Sequence, residues 1–165
     1  MTVRSLLLAL CCILFLSYGG YAMIMTLPLE ELAGEAEIIA VGTLKITTKL
    51  PKDKDGWVKI QNTVTLSEVL KGSAKAGDEV VVETLEGMED MPVFEPRNRF
   101  ILFLNKSPNG PGYVTTNLIQ GYWPMDTDGK FAGMGLGVTM EQLKKAMEKG
   151  PAPKPSQPAD SSTSF

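Results

Sequence analysis

Carboxylates supply most of the acid–base chemistry open to this chain. Glu83, Glu86, Glu89, Asp90 and Glu95 fall along a predicted strand and the loop that follows it. Two of them in one pocket, one held protonated by its surroundings, would suit a small carboxylate-dependent hydrolase of the glycosidase type. The plainer account is a solvated acidic loop, because carboxylates on loops are ordinary surface groups. Nucleophile systems are closed off on composition. The chain has no histidine, and its two cysteines, Cys11 and Cys12, lie in an apolar N-terminal run. Once that run is removed, neither a Cys–His pair, a Ser–His–Asp triad nor a common zinc site can be assembled. No cofactor is expected.

Recognition chemistry is better represented. Trp57 falls on the polar face of a long predicted strand, and Tyr122-Trp123 follows an irregular stretch. Exposed aromatic side chains of this kind make binding surfaces; the alternative is that all three close the ends of the fold or pack under a helix. Arg97 and Arg99 flank the acidic loop. They either pair with Glu95 at the surface or present a fork for a carboxylate. Trp57, Tyr122, Trp123, Arg97 and Arg99 are therefore the candidate ligand-binding residues.

Weaker motifs have structural readings. Asp53-Lys54-Asp55-Gly56 and Asp126-Thr127-Asp128-Gly129 resemble the start of a calcium loop. Each carries glycine at position four instead of six and lacks the glutamate at twelve, so both are read as hairpin turns. Met88 and Met91 offer thioethers, and gap-filling is their commoner use. Gly133-Met134-Gly135-Leu136-Gly137 precedes a helix and is read as a flexible turn in preference to an anion loop. No metal site is assigned.

The elements that must position these residues are mostly strands. From Trp57 to Gly72, Val58, Ile60, Asn62, Val64 and Leu66 alternate with polar residues, a half-buried strand. The alternation slips at Ser67-Glu68, which predicts one β-bulge and a bend. An earlier strand from Ile38 to about Leu50 joins it through the Asp55-Gly56 turn. Further strands are expected at Glu79 to Leu85, at Phe100 to Leu104 and at Tyr113 to Ile119, with a short extra strand at Lys130-Phe131. Phe-Ile-Leu-Phe-Leu, at 100–104, should be central and buried on both faces. A short helix is expected over Thr26 to Glu37. A second starts at Thr139, where Thr139 and Gln142 form a capping box, and ends at Gly150-Pro151.

Arg4, the apolar run Leu6 to Leu16 and the small-x-small site Gly20-Tyr21-Ala22 read as a signal peptide over 1–22. Ser17, Gly19 and Gly20 cut the apolar run short of the roughly 20 residues of a membrane span. Removing those 22 of 165 residues leaves 143, without Cys or His, and takes the net charge from −3 to −4. A domain of that size can bury about two-thirds of its surface without disulfides. Residues 151–165, rich in Pro and Ser, are expected to be a disordered tail. The acidic balance argues against nucleic acid.

Five strands, with a bent first pair and a long connection before the fourth, predict a mainly β fold: a five-stranded OB-like barrel over 23–150. The series Glu35-Ala36-Glu37-Ile38-Ile39-Ala40-Val41-Gly42, Val69-Leu70-Lys71-Gly72, Gly77-Asp78, Pro92-Val93-Phe94, Arg99 to Leu104 and Gln120-Gly121 resembles a loose group of uncharacterised secreted bacterial OB-like domains. More distantly it is similar to the netrin-like module of the tissue inhibitors of metalloproteinases. That resemblance implies the barrel and a secreted or periplasmic location. It carries over no inhibitory residue, because those inhibitors use an N-terminal cysteine and the expected mature end here is Met23-Ile24-Met25.

The combined expectation is an extracytoplasmic, non-enzymatic binding module, with the small hydrolase as the alternative. Its partner would be an unknown protein or envelope component, with no nucleic acid and no stable membrane span after signal cleavage.

Overall fold

A computed structural model describes residues 25–150. The expected signal peptide and the 151–165 tail lie outside the described residues. The fold is mainly β, with one helix before the strands and one after them. Helix α1 spans Leu29–Glu35, shorter than the Thr26 to Glu37 expected. Pro28 caps it in extended conformation, and Glu30 and Glu31 stand in the first turn, where the helix dipole favours them. Its C-terminal carbonyls are satisfied from a distance: Lys71 Nζ donates to Ala33 O at 2.7 Å and to Gly34 O at 3.0 Å.

Strands β1, Ile38–Lys52, and β2, Val58–Lys71, form a long antiparallel pair. Val58, Asn62, Val64 and Leu66 are buried, as the alternation predicts. The bulge falls where the pattern slips. Val41 pairs with Glu68 and Gly42 with Leu66, leaving Ser67 unpaired, and Ser67 Oγ donates to Val41 O at 3.3 Å. Gly42 has no room for a side chain, since a Cβ would stand 2.5 Å from Val64 Cγ1. Three further irregularities along β1 accompany the expected one. Two of them lie in the exposed half of β1, where burial does not hold the register.

Strand β3 is Glu79–Leu85, β4 Arg99–Lys106, β5 Tyr113–Thr115 and β6 Tyr122–Met125. Hydrogen bonding runs β1-β2-β3-β5-β4, and β4 returns to β1, so five strands close into a ring. The expected strand Tyr113 to Ile119 is cut short. Asn117 and Leu118 take left-handed backbone (φ 51° and 56°) and open a 3-10 turn over Leu118–Gly121. Pairing then resumes. β5 lies against Leu104 to Lys106, and β6 against Arg99 to Leu102, on the edge of β4 that β1 leaves free. β6, absent from the sequence expectation, thus continues β5 after an insertion. Phe131 contributes an isolated bridge to Met125 in place of a separate strand.

β4 is central, as its apolar run predicts. Phe100, Leu102 and Leu104 point into the ring with Val64, Leu66, Val82 and Tyr122. Ile101 and Phe103 point outward, where α1 and the second helix cover them together with Trp123 and Phe131. Helix α2, Met140–Lys149, starts at the predicted capping box, with Thr139 Oγ1 accepting from Gln142 N and Gln142 Oε1 from Thr139 N. Among the described residues no helix is long and apolar enough to cross a membrane.

Candidate functional site

One end of the ring is open. β1 has β4 beside it only from Ile38 to Thr43, so beyond Thr43 the wall on that side is lost. The connection from Glu86 to Phe94 folds over the gap and leaves a recess of about 190 Å³. Ile60, Leu85, Met88, Met91, Pro92, Val93 and Phe94 give it an apolar lining. A polar trio completes the lining. Asn62 Oδ1 accepts from Thr47 Oγ1 at 2.9 Å, while Asn62 Nδ2 donates to Thr84 Oγ1 at 3.2 Å and to Val82 O at 3.3 Å. Each amide atom of the buried asparagine is paired, which removes the cost of placing it on an apolar register. The recess is smaller than the roughly 300–1,000 Å³ of small-molecule sites. It suits one inserted side chain.

Trp57 lies in the turn that leads into β2, and its side chain is not part of the recess lining. Asp53 Oδ1 accepts from Asp55 N at 3.0 Å and from Trp57 N at 2.9 Å, and Gly56 takes the left-handed turn position. The turn holds Trp57 49% exposed just before β2. The next residue, Val58, accepts from the N–H of Glu86, which lines the recess. Val93, 77% exposed, and Met88 complete an apolar margin.

The other two candidate aromatics are buried, the alternative weighed for them. Trp123 is 2% exposed and packs against Phe103 and Phe131, with centroids 4.8 and 5.4 Å away. Its Nε1 donates to Gln120 O at 2.8 Å. Tyr122 turns inward onto Phe94 and Phe100. Burial pushes its phenol up to about 12; the charge of Glu95 adds to this and a backbone hydrogen bond from Glu95 opposes it. Neither residue presents a surface, because β6, whose alternation puts one inside the ring and the other under the helices, is the element the sequence did not show. Gly133 to Gly137 also changes meaning. It holds a 3-10 turn whose Gly135 lies flat on the indole, where a Cβ would meet Trp123 Cδ2 at 2.4 Å.

Three of the five carboxylates are engaged separately. Glu83 accepts from Ser107 Oγ at 3.0 Å, Glu86 pairs with Lys49, and Glu95 accepts from Asn98 Nδ2 at 2.8 Å. Each is held by a different element. The two Asp-x-Asp-Gly segments are the turns expected, Asp126 Oδ1 accepting from Asp128 N and Lys130 N as Asp53 does from its own loop. Arg97 and Arg99 are exposed and line a surface groove of about 390 Å³ with Asn98, Met125, Asp126 and Thr127. Neither arginine pairs with Glu95, and among the described residues neither has an ion-pair partner.

Sequence reasoning did not single out Asn62, Thr84 or Val93 as site residues. One signal was present: an asparagine in the middle of an otherwise apolar strand face needs a local polar partner set. Exposure of Val93 depends on how the loop closes and left no signal. No family model matches the chain, and no curated protein matches it.

Proposed function

We infer that this domain is a non-enzymatic binding module working outside the cytoplasm, built on an OB-like barrel. The observation that carries the binding role is the open recess at the ring end, apolar around a satisfied polar trio and edged by exposed Met88 and Val93, with exposed Trp57 in the turn that leads into β2. Such a site can accept an apolar side chain from a protein or envelope partner, and exposed Trp57 is the residue type that dominates binding energy. Supporting the OB-like reading, the ring runs β1-β2-β3-β5-β4 with β3 and β5 parallel. OB folds use the loop between their first two strands for recognition, where Trp57 sits here. A distant netrin-like relationship concerns the fold alone. The extracytoplasmic location rests on the signal-like residues 1–22.

The test uses the exported protein with Trp57→Ala and Val93→Asp combined, both at exposed positions. Cross-linking through a photoreactive group at Met88 should capture an envelope partner with wild type, and the double variant should lose it while keeping its circular dichroism. The same partner captured by a folded double variant would remove the recess from consideration.

A further inference from the structure

We propose that Arg97 and Arg99 form a second site, one that binds the carboxylates of an acidic peptide segment on a partner protein. The proposal rests on the reading of the domain as a binding module and adds a ligand chemistry the recess does not have. The first observation is electrostatic. The chain is acidic, and the ion pairs among its described residues join Lys45 to Glu79, Lys49 to Glu86 and Lys149 to Glu30. Both arginines of the described residues are left out of this neutralisation. Neither nearby acid pairs with them: Glu95 takes the Asn98 amide, and Asp126, which lines the same groove, uses Oδ1 for two backbone N–H groups of its own turn.

The second observation is placement. Arg97 and Arg99 line one groove, with Met125 and Thr127 in its wall. Arg99 is fixed by the β4 ladder, paired with Thr43 on one side and Met125 on the other. Arg97 stands at φ 70°, backbone that a glycine would adopt without cost and that a long side chain seldom takes. Arg97 thus lines the groove from a backbone conformation that disfavours its own side chain.

Guanidinium geometry then selects the ligand. The planar fork matches a carboxylate with two parallel hydrogen bonds, which a lysine cannot reproduce. An anionic membrane is the weaker fit. Recognition of acidic lipid draws on clusters of about four to eight basic residues, and this groove has two beside the carboxylate of Asp126. An extended acidic peptide can place successive carboxylates on the two arginines while its backbone lies over Met125.

The experiment is an NMR titration of the exported chain with an oligoglutamate peptide, an oligoglutamine peptide of equal length, inorganic phosphate, and phosphatidylserine vesicles. Oligoglutamate alone should shift the amides of Arg97, Arg99 and Thr127, and the shifts should weaken with added salt. Arg99→Gln should weaken binding by about tenfold or more, the loss of one charge-assisted hydrogen-bonding group. Arg99→Lys should restore only part of it, because the charge returns without the fork. Arg97→Gly relieves the left-handed position, so it should stay folded and still lose affinity. The Trp57→Ala, Val93→Asp variant should bind oligoglutamate normally, which separates failure of this site from failure of the recess. Unchanged affinity in folded Arg99→Gln, shifts spread away from the groove, or binding of phosphate or vesicles in place of the peptide would each overturn the proposal.

Discussion

Trp57 and Trp123, the two tryptophans of the chain, end up 49% and 2% exposed. Each makes a local hydrogen bond, Trp57 N to Asp53 and Trp123 Nε1 to Gln120, but the packing around the two rings differs in reach. Trp57 is held through its backbone by Asp53, four residues earlier in the same turn. Trp123 is enclosed by Phe103 of β4, by Phe131, and by Gly135, whose missing side chain leaves space for the indole. The first position is decided locally, and it leaves the ring half exposed. The second is decided by segments that meet only when the sheet and helices have closed, and it makes Trp123 structural. Residue type alone says little about role; what surrounds the ring in space assigns it.

The comparison is broken most severely by Trp123→Ala. Truncating a fully enclosed aromatic should cost about 3–5 kcal/mol, read as a lowered urea midpoint. Gly135→Ala attacks the same packing from the other side. A methyl placed 2.4–2.7 Å from three indole carbons forces the ring or the turn to move, at a cost of about 1–3 kcal/mol. Because both changes act on one contact, the Trp123→Ala, Gly135→Ala double variant should be more stable than the sum of the single losses allows. Strict additivity would mean that Gly135 does not seat the indole.

Tyr122, beside Trp123 but facing the ring interior, gives a pH-dependent test. Its folded pKa, about 12, lies above the unfolded value of 10, so between those values the folded state keeps a proton that the unfolded state has lost. The associated stability is fully present below pH 10 and is lost as pH rises through 12. The loss should reach at most about 3 kcal/mol. Tyr122→Phe should flatten this part of the alkaline stability curve; an identical slope in the variant would show that other groups set it.

Smallest is Trp57→Ala, expected to change stability by no more than about 0.5 kcal/mol, as for exposed positions generally. It should also remove the solvent-exposed component of the tryptophan fluorescence. A large destabilisation would place Trp57 in the core and erase the contrast with Trp123.

Much of the architecture was legible in the sequence because it depends on neighbours. Alternation located β2 and β3, and the slip at Ser67 located a bulge, since a one-residue insertion must reverse which side chains face the core. The apolar run at 100–104 marked the central strand, and Thr139 with Gln142 marked the start of α2. β6 was not legible. Tyr-Trp-Pro-Met carries no alternation of its own, and its strand state comes from the β4 edge that β5 leaves open after Thr115. The sites divide in the same way. The Asp53 turn follows from Asp-Gly chemistry within five residues, so the sequence alone determined it, while the exposure of Trp57 stayed open until the fold showed that nothing covers the turn. The recess needs Thr47, Asn62, Thr84 and Val93, from three strands and a loop, and the arginine groove needs β4 beside the turn at Asp126. Only the tertiary structure could decide those, because long-range pairing chooses which distant residues share a wall, and no local preference records that choice.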